Sequence, residues 1–159
     1  MEIKEYVDDW ALKFIKNKDI IFRKIVSIES SSNEFYDAKV IYKDKIQYLV
    51  SRAKLEEIIN LFPKISNDFY LWITVVNSKE NFNFLIKNWD RFMEYKNISI
   101  CFINPFSSTD VKWIVNPYTH NIISEKSSLN AGLKAMYETV EPISEEEFSL
   151  KIKSISQLF

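Results

Sequence analysis

Two apolar segments constrain the fold of this chain more than any other feature. The first, FYLWITVV, occupies residues 69–76, and the second, ISICFI, occupies residues 98–103. Their apolar side chains follow one another with little alternation, which is typical of strands that are buried on both faces. The sequence therefore predicts a central mixed β-sheet with helices packed against both of its sides.

The segments around these two strands divide into helical and strand-like periodicities. Their order predicts α-β-β-β-α-β-α-β-β-α-α, a single α/β (α+β) domain over residues 1–159. The predicted helices and strands are helices at 2–18, 55–62, 82–93 and 129–140, a last helix opened by the capping box of Ser144 and Glu147, and strands within 20–30 and at 35–42, 46–51 and 111–115.

Three scarce residue types exclude most kinds of site. Gly132 is the only glycine, which excludes glycine-rich loops that bind phosphate or dinucleotides. Cys101 and His120 are also single, which excludes a zinc site of the usual Cys/His type. We expect Gly132 to mark close helix packing and His120 to lie in a loop with local hydrogen bonds. The chemistry that remains is that of carboxylates, with Mg²⁺ as the matching cofactor.

Composition also limits the setting and the partners. The net charge is −1, so the molecule as a whole has no electrostatic attraction for nucleic acid. No apolar run approaches the roughly 20 residues that span a bilayer, so we expect no membrane partner. The single cysteine lies in an apolar run and predicts a reducing, cytoplasmic location.

The hairpin at 35–51 carries the candidate site. If Lys43 and Asp44 form its turn, then Tyr42 faces Lys45 and Asp37 faces Val50. Directly opposed residues have Cβ atoms roughly 5 Å apart, close enough for two carboxylates to share an ion. Val50 is not a carboxylate, so the predicted pair contains only one acid.

The opening helix, three strands, helix and strand, with Asp37 on the hairpin, resemble the core of the restriction-endonuclease-like PD-(D/E)XK nucleases, nearest to the archaeal Holliday-junction-resolvase type. The resemblance covers about residues 1–77. It implies that Asp37 is the first metal ligand, that Val50-Ser51-Arg52 stands where the family has Glu-x-Lys, and that Glu5 is the helix acid. Arg52 keeps the positive charge but cannot take a proton from water. On this alignment, Val50→Glu with Arg52→Lys is expected to restore metal binding.

Two other interpretations of the hairpin remain open. In the first, Asp37-Ala38-Lys39 is the motif and Glu29 the earlier acid, although a four-residue SSSN loop would put Glu29 opposite Glu34 and Asp37 opposite Val26. In the second, the charged residues are only the solvated face of an ordinary hairpin.

These observations favour a nuclease-like protein that is not an active enzyme, with no cofactor, or with Mg²⁺ if it is active. Asp37 is the candidate metal ligand, and Asp37, Arg52 and Glu5 form the degenerate catalytic set. Nucleic acid is a possible partner, and the alternative is an interaction or structural module that uses the fold as a scaffold. We also expect a homodimer through the strand 111–115 and the helices after it, which would give Trp113 and Tyr118 a partner. The candidate nucleic-acid contacts are Lys39, Lys43, Lys45, Arg52 and Lys54.

Overall fold

A six-stranded mixed sheet forms the centre of the molecule in the computed structural model, which describes residues 1–31 and 35–158. The strands follow chain order across the sheet, and the two central pairs, β3–β4 and β4–β5, are parallel. The other three pairs are antiparallel. The strands are β1 Ile25–Ser30, β2 Ala38–Tyr42, β3 Ile46–Ser51, β4 Tyr70–Val76, β5 Ile98–Ile103 and β6 Lys112–Val115.

Helices connect β3 to β4 and β4 to β5, and helices cover both sides of the sheet, which confirms the predicted α+β architecture. No described helix is long and apolar enough to cross a membrane. The helices are α1 Ile3–Lys18, α2 Leu55–Ile59, a 3-10 turn Phe62–Lys64, α3 Lys79–Lys87, α4 Trp89–Phe92, α5 Pro117–Ile123, α6 Lys126–Glu138 and α7 Glu145–Gln157.

The side chains of β4 contribute to two apolar cores, one on each face of the sheet. Leu71 and Ile73 point to one face, where they pack with α2, α3, α4 and α6. Trp72 and Val76 point to the other face, where they pack with α1 and α7. Because successive side chains of a strand alternate, a strand with no polar face requires this cover on both sides.

The predicted strand within 20–30 begins later than its apolar residues suggested. Ile20, Ile21 and Phe22 form turns, and β1 starts at Ile25. The carboxylate of Asp19 accepts the backbone N–H groups of Lys24 and Ile25 at 2.8 and 3.0 Å, which holds the chain in this turn. Arg23 also has a φ of 50°, in the left-handed region that no strand contains.

Two helical predictions also change. The helix predicted at 82–93 is divided at Asn88 into α3 and α4, because the backbone of Asn88 leaves helical values. The predicted loop around His120 is the helix α5, which begins with Pro117 and is capped by Asn116. The predicted local hydrogen bonding of His120 is confirmed, since its Nδ1 lies 3.0 Å from the carbonyl oxygen of Asn116.

Trp113 finds its partners within the chain, so the reason for placing a dimer interface at β6 is wrong. Its ring stacks on Phe102 with centroids 4.3 Å apart, and its Nε1 donates to Asn77 Oδ1 at 2.8 Å. Only 4% of the residue is exposed. Tyr118 is half-buried, with Lys96 Nζ 5.9 Å from its ring centroid. Self-association itself stays a prediction, which the mass in solution tests.

Three buried asparagines close the end of the sheet where the parallel strands finish. Asn77 donates to the carbonyl oxygens of Tyr137 and Val140, at 3.4 and 3.2 Å. Asn81 donates to the carbonyls of Ala53 and Val76, both at 2.8 Å, and accepts the N–H of Leu55. Asn104 donates to the carbonyl of Glu141 at 2.8 Å. Structural amides therefore occupy part of the crevice at which open α/β sheets commonly bind ligands.

Gly132 does not mark close packing, contrary to the sequence-based expectation. It lies on the exposed side of α6, and a Cβ added there would meet nothing within 4 Å. We therefore expect Gly132→Ala to raise the free energy of unfolding by about 0.5–1 kcal/mol, since alanine loses less backbone freedom in a helix. Urea denaturation measures this change. Ala131→Gly, at the exposed neighbouring position, should lower stability by a similar amount, and a destabilising Gly132→Ala would contradict this placement.

Candidate functional site

The hairpin β2–β3 has the register that the sequence predicted. Tyr42 N–H donates to the carbonyl of Lys45 at 2.8 Å, which closes the two-residue turn. Ala38 then pairs with Leu49, which is the last pair of the ladder and lies next to the predicted pair of Asp37 and Val50. The N–H of Asp37 donates to the carbonyl of Leu49 at 2.8 Å. This register brings the start of β2 to the end of β3.

The carboxylate of Asp37 is bound by three donors from the protein itself. Its Oδ1 accepts from Lys4 Nζ of α1 at 2.8 Å. Its Oδ2 accepts from Arg52 Nη1 at 2.9 Å and from the backbone N–H of Ser51 at 2.7 Å. The side chains of Asp37 and Arg52 are only 10% and 14% exposed, whereas that of Lys4 is 47% exposed. The Asp37–Arg52 pair is thus the sheltered part of this cluster.

A second acid, Asp8 of α1, stands beside this cluster in the place that the sequence assigned to Glu5. Asp8 is half-buried and interacts electrostatically with Asp37, Lys4 and the Ser51 hydroxyl. Glu5 is exposed and makes no ion pair among the described residues. The helix acid that faces Asp37 is therefore Asp8 rather than Glu5.

The surroundings of Asp8 raise its pKa above the ordinary value. The largest cause is burial, which disfavours the charged carboxylate, and the negative charge of Asp37 adds to it. Lys4 and the Ser51 hydroxyl lower the pKa but do not outweigh these causes. Asp8 Oδ1 and Ser51 Oγ are both buried and have no partner at hydrogen-bonding geometry among the described residues.

Val50 does not line the site, and its side chain and that of Asp37 lie on opposite faces of the sheet, whereas directly opposed residues would share a face. Its side chain is fully buried on the α2 side of the sheet, in the cluster that contains Leu55 and Ile58. The Asp37 carboxylate instead meets Lys4 on the α1 side. A glutamate at position 50 would place a charge in an apolar core, which contradicts the expectation that Val50→Glu restores metal binding. The position of β3 that adjoins Asp8 is Ser51.

The alternative motif with Glu29 has a different register from the one predicted for it. Glu29 pairs with Lys39, and the N–H of Ser31 donates to the carbonyl of Asp37 at 2.9 Å. Glu34 and part of the predicted SSSN loop lie outside the described residues. The predicted opposition of Asp37 and Val26 is wrong, because β1 pairs with β2 five residues further along than a four-residue loop requires.

The five candidate nucleic-acid contacts are spread over both ends of the hairpin. Lys43 and Lys45 flank its turn, and Lys39 is half-buried opposite Tyr48. Arg52 and Lys54 follow β3, a strand of six residues that measures roughly 20 Å. Arg52 is paired with Asp37, and Lys54 Nζ lies 3.8 Å from Glu145 Oε2. Acids are therefore interspersed among these cations, and the five do not converge on one surface.

The residues present do not fit a divalent metal. Within residues 1–31 and 35–158, no three His, Cys, Asp or Glu side chains are arranged to hold a metal ion. Both oxygens of Asp37, the predicted ligand, accept from cationic side chains.

Comparison of the chain with models of known protein families, with curated proteins and with solved structures gives no match.

Sequence reasoning missed Lys4 and Asp8, although a usable signal was present. The buried side of α1 is defined by Val7, Ala11 and Ile15. At 3.6 residues per turn, Lys4 and Asp8 lie closer to this stripe than Glu5 does. A pair of opposite charges four residues apart at the edge of a buried helical stripe is a sign of a partner on the sheet.

We expect Asp37→Ala to lower the free energy of unfolding by about 2–4 kcal/mol, because it leaves the Ser51 N–H without its acceptor and the Arg52 guanidinium without its anionic partner. Lys4→Met, which removes the exposed partner, should cost less than about 1 kcal/mol. Chemical denaturation of both variants measures the difference. Equal and small effects, below about 0.5 kcal/mol, would show that the cluster is not a structural tie.

Asp8→Asn should make the protein more stable at neutral pH. Because the folded-state pKa of Asp8 is raised, the folded chain holds this proton to a higher pH than the unfolded chain does. The free energy of unfolding of the natural protein therefore falls as the pH rises from the ordinary aspartate pKa to the raised folded-state pKa of Asp8. We therefore expect Asp8→Asn to be more stable than the natural protein at pH 7 and nearly equal to it near pH 3, where the Asp8 carboxyl is protonated in both states.

Denaturation curves across this pH range test the Asp8 prediction. The natural protein, measured at the same pH values, is the reference for the Asp8→Asn curves. A variant Asp8→Asn that is less stable than the natural protein at pH 7 would mean that the Asp8 carboxylate is charged and needed in the fold.

Proposed function

We propose that this chain is a non-catalytic interaction module, built on a scaffold that resembles a nuclease core. The observation that carries the proposal is the binding of the Asp37 carboxylate by Lys4 and Arg52. The order α1-β1-β2-β3-α2-β4 agrees with the order on which the resemblance rests. On this proposal the chain has the element order of the nuclease-like core, and Asp37, at the position expected for a metal ligand, has a structural role instead.

The charges around Asp37 disfavour hydrolysis that depends on a divalent metal. Mg²⁺ requires several oxygen ligands in near-octahedral geometry, and here Ser51 stands beside Asp8 where a third carboxylate would be needed. Two cationic nitrogens within 2.9 Å of the Asp37 carboxylate repel a further cation. Arg52 also cannot serve as a base, because a guanidinium stays protonated at neutral pH.

The arrangement of basic side chains supports a protein partner over nucleic acid at the hairpin. Binding to a phosphate backbone requires several cations on one surface. Arg52 and Lys54 are each paired with an acid, and Lys43 and Lys45 lie at the opposite end of β3. Of the five predicted contacts, only Lys43 and Lys45 lie together without an ion pair among the described residues, which is too few for the predicted nucleic-acid surface.

The test combines cleavage and binding of branched and duplex DNA. We expect no cleavage in Mg²⁺ or Mn²⁺ and no mobility shift at about 50 mM salt, where electrostatic binding is strong. Lys39→Glu with Lys43→Glu serves as the control for any weak shift. Metal-dependent cutting that Asp37→Ala abolishes would overturn the proposal, and so would a salt-dependent shift that the lysine variant loses.

A further inference from the structure

The turn after α1 presents an apolar tip, formed by Ile20, Ile21 and Phe22. These side chains are 64%, 85% and 67% exposed, and Val26 in the adjoining strand is 64% exposed. The backbone of this tip is nevertheless fixed by hydrogen bonds, since the Asp19 carboxylate accepts the N–H groups of Lys24 and Ile25. Large aliphatic side chains that are grouped together and held in the open commonly mark an interaction surface.

A recess of about 230 Å³ lies beside the apolar tip. Phe22 forms part of its wall, and Trp72, Tyr42 and Ile15 contribute apolar surface. Tyr42 is fixed by a hydrogen bond from its hydroxyl to Gln47 Oε1 at 3.1 Å. The volume is below the 300–1,000 Å³ or so of pockets for small molecules, and suits one large side chain.

Cations surround the recess and remain available to a partner. Lys18, Lys24 and Lys45 line it, and none of the three makes an ion pair among the described residues. Lys18 Nζ is held 5.6 Å from the centroid of Trp72, and Lys45 Nζ lies 5.2 Å from that of Tyr42. Two acids, Asp19 and Asp44, also line the recess, and the carboxylate of Asp19 already accepts two backbone N–H groups.

We propose that the apolar tip and its recess bind an acidic, amphipathic segment of a partner protein. One apolar side chain of the segment fills the recess against Trp72, and others cover Ile20 and Ile21. Its carboxylates meet Lys18, Lys24 and Lys45, whose charges are complementary to them. This proposal rests on the proposed function, because it names the chemistry of the partner that the interaction module binds.

The same features favour a protein segment over other anionic partners. A lipid surface offers no side chain that fills a recess, and nucleic acid offers little apolar surface for two exposed isoleucines. β1 is also the outermost strand of the sheet, and no described strand pairs with its outer edge. An extended peptide beside the tip has both a recess for a side chain and a strand edge within reach.

The experiment measures binding of a fluorescein-labelled peptide in which glutamate and aspartate alternate with leucine and phenylalanine. We expect saturable binding to the full chain by fluorescence anisotropy, weakening as salt rises. Ile21→Ser with Phe22→Ser should weaken it by roughly tenfold or more, and Lys18→Glu with Lys24→Glu by a similar factor. A peptide with lysine in place of its acids should not bind.

The matched control is Ile122→Ser with Ile123→Ser, at positions that are 63% and 72% exposed on α5. This variant should bind as the natural chain does. Absence of peptide binding, or equal loss in the tip and control variants, would overturn the proposal. Binding that depends on the tip but occurs only with phosphatidylserine vesicles or single-stranded DNA would also overturn it, in favour of that partner. None of these results resembles metal-dependent cleavage, so failure here is distinguishable from failure of the proposed function.

Discussion

The ion pair between Asp37 and Arg52 holds together the part of the molecule in which a reaction would otherwise be sought. Asp37 begins β2, Arg52 follows β3, and Lys4 brings α1 to the same carboxylate. The Ser51 N–H, which follows the β2–β3 pairing, is satisfied by this carboxylate rather than by a backbone carbonyl. One side chain therefore connects a helix and two strands, which is a structural role that engages both of its oxygens.

Near the Asp37–Arg52 ion pair, polar side chains form hydrogen bonds and an ion pair at the same end of the sheet, where the parallel strands finish. Asn77, Asn81 and Asn104 bind the carbonyls of neighbouring loops, and Glu145 pairs with Lys54. In an open α/β sheet, this end is where ligands usually bind. The apolar tip lies at the opposite end of β3, where its side chains are exposed.

The sequence predicted the sheet and the hairpin register because both follow from local patterns. The apolar segments at 69–76 and 98–103 required cover on both faces, and the turn at Lys43 fixed the position of Asp37. The site could not be predicted in the same way. The apolar stripe of α1 indicates that Asp8 lies nearer to the sheet than Glu5 does, but the strand residue that Asp8 meets depends on how α1 packs across the sheet, which spacing in the sequence does not give.

A titration of the isotope-labelled protein with Mn²⁺, followed by NMR, tests the central claim most directly. A bound paramagnetic ion broadens the amide signals nearest to it, and the Ser51 amide is hydrogen-bonded to Asp37 itself. If Lys4 and Arg52 satisfy this carboxylate, the signals of Asp37 and Ser51 keep their intensity relative to the rest of the chain. Selective loss of these signals at low Mn²⁺, reversed by Asp37→Asn, would contradict the account and identify Asp37 as a metal ligand.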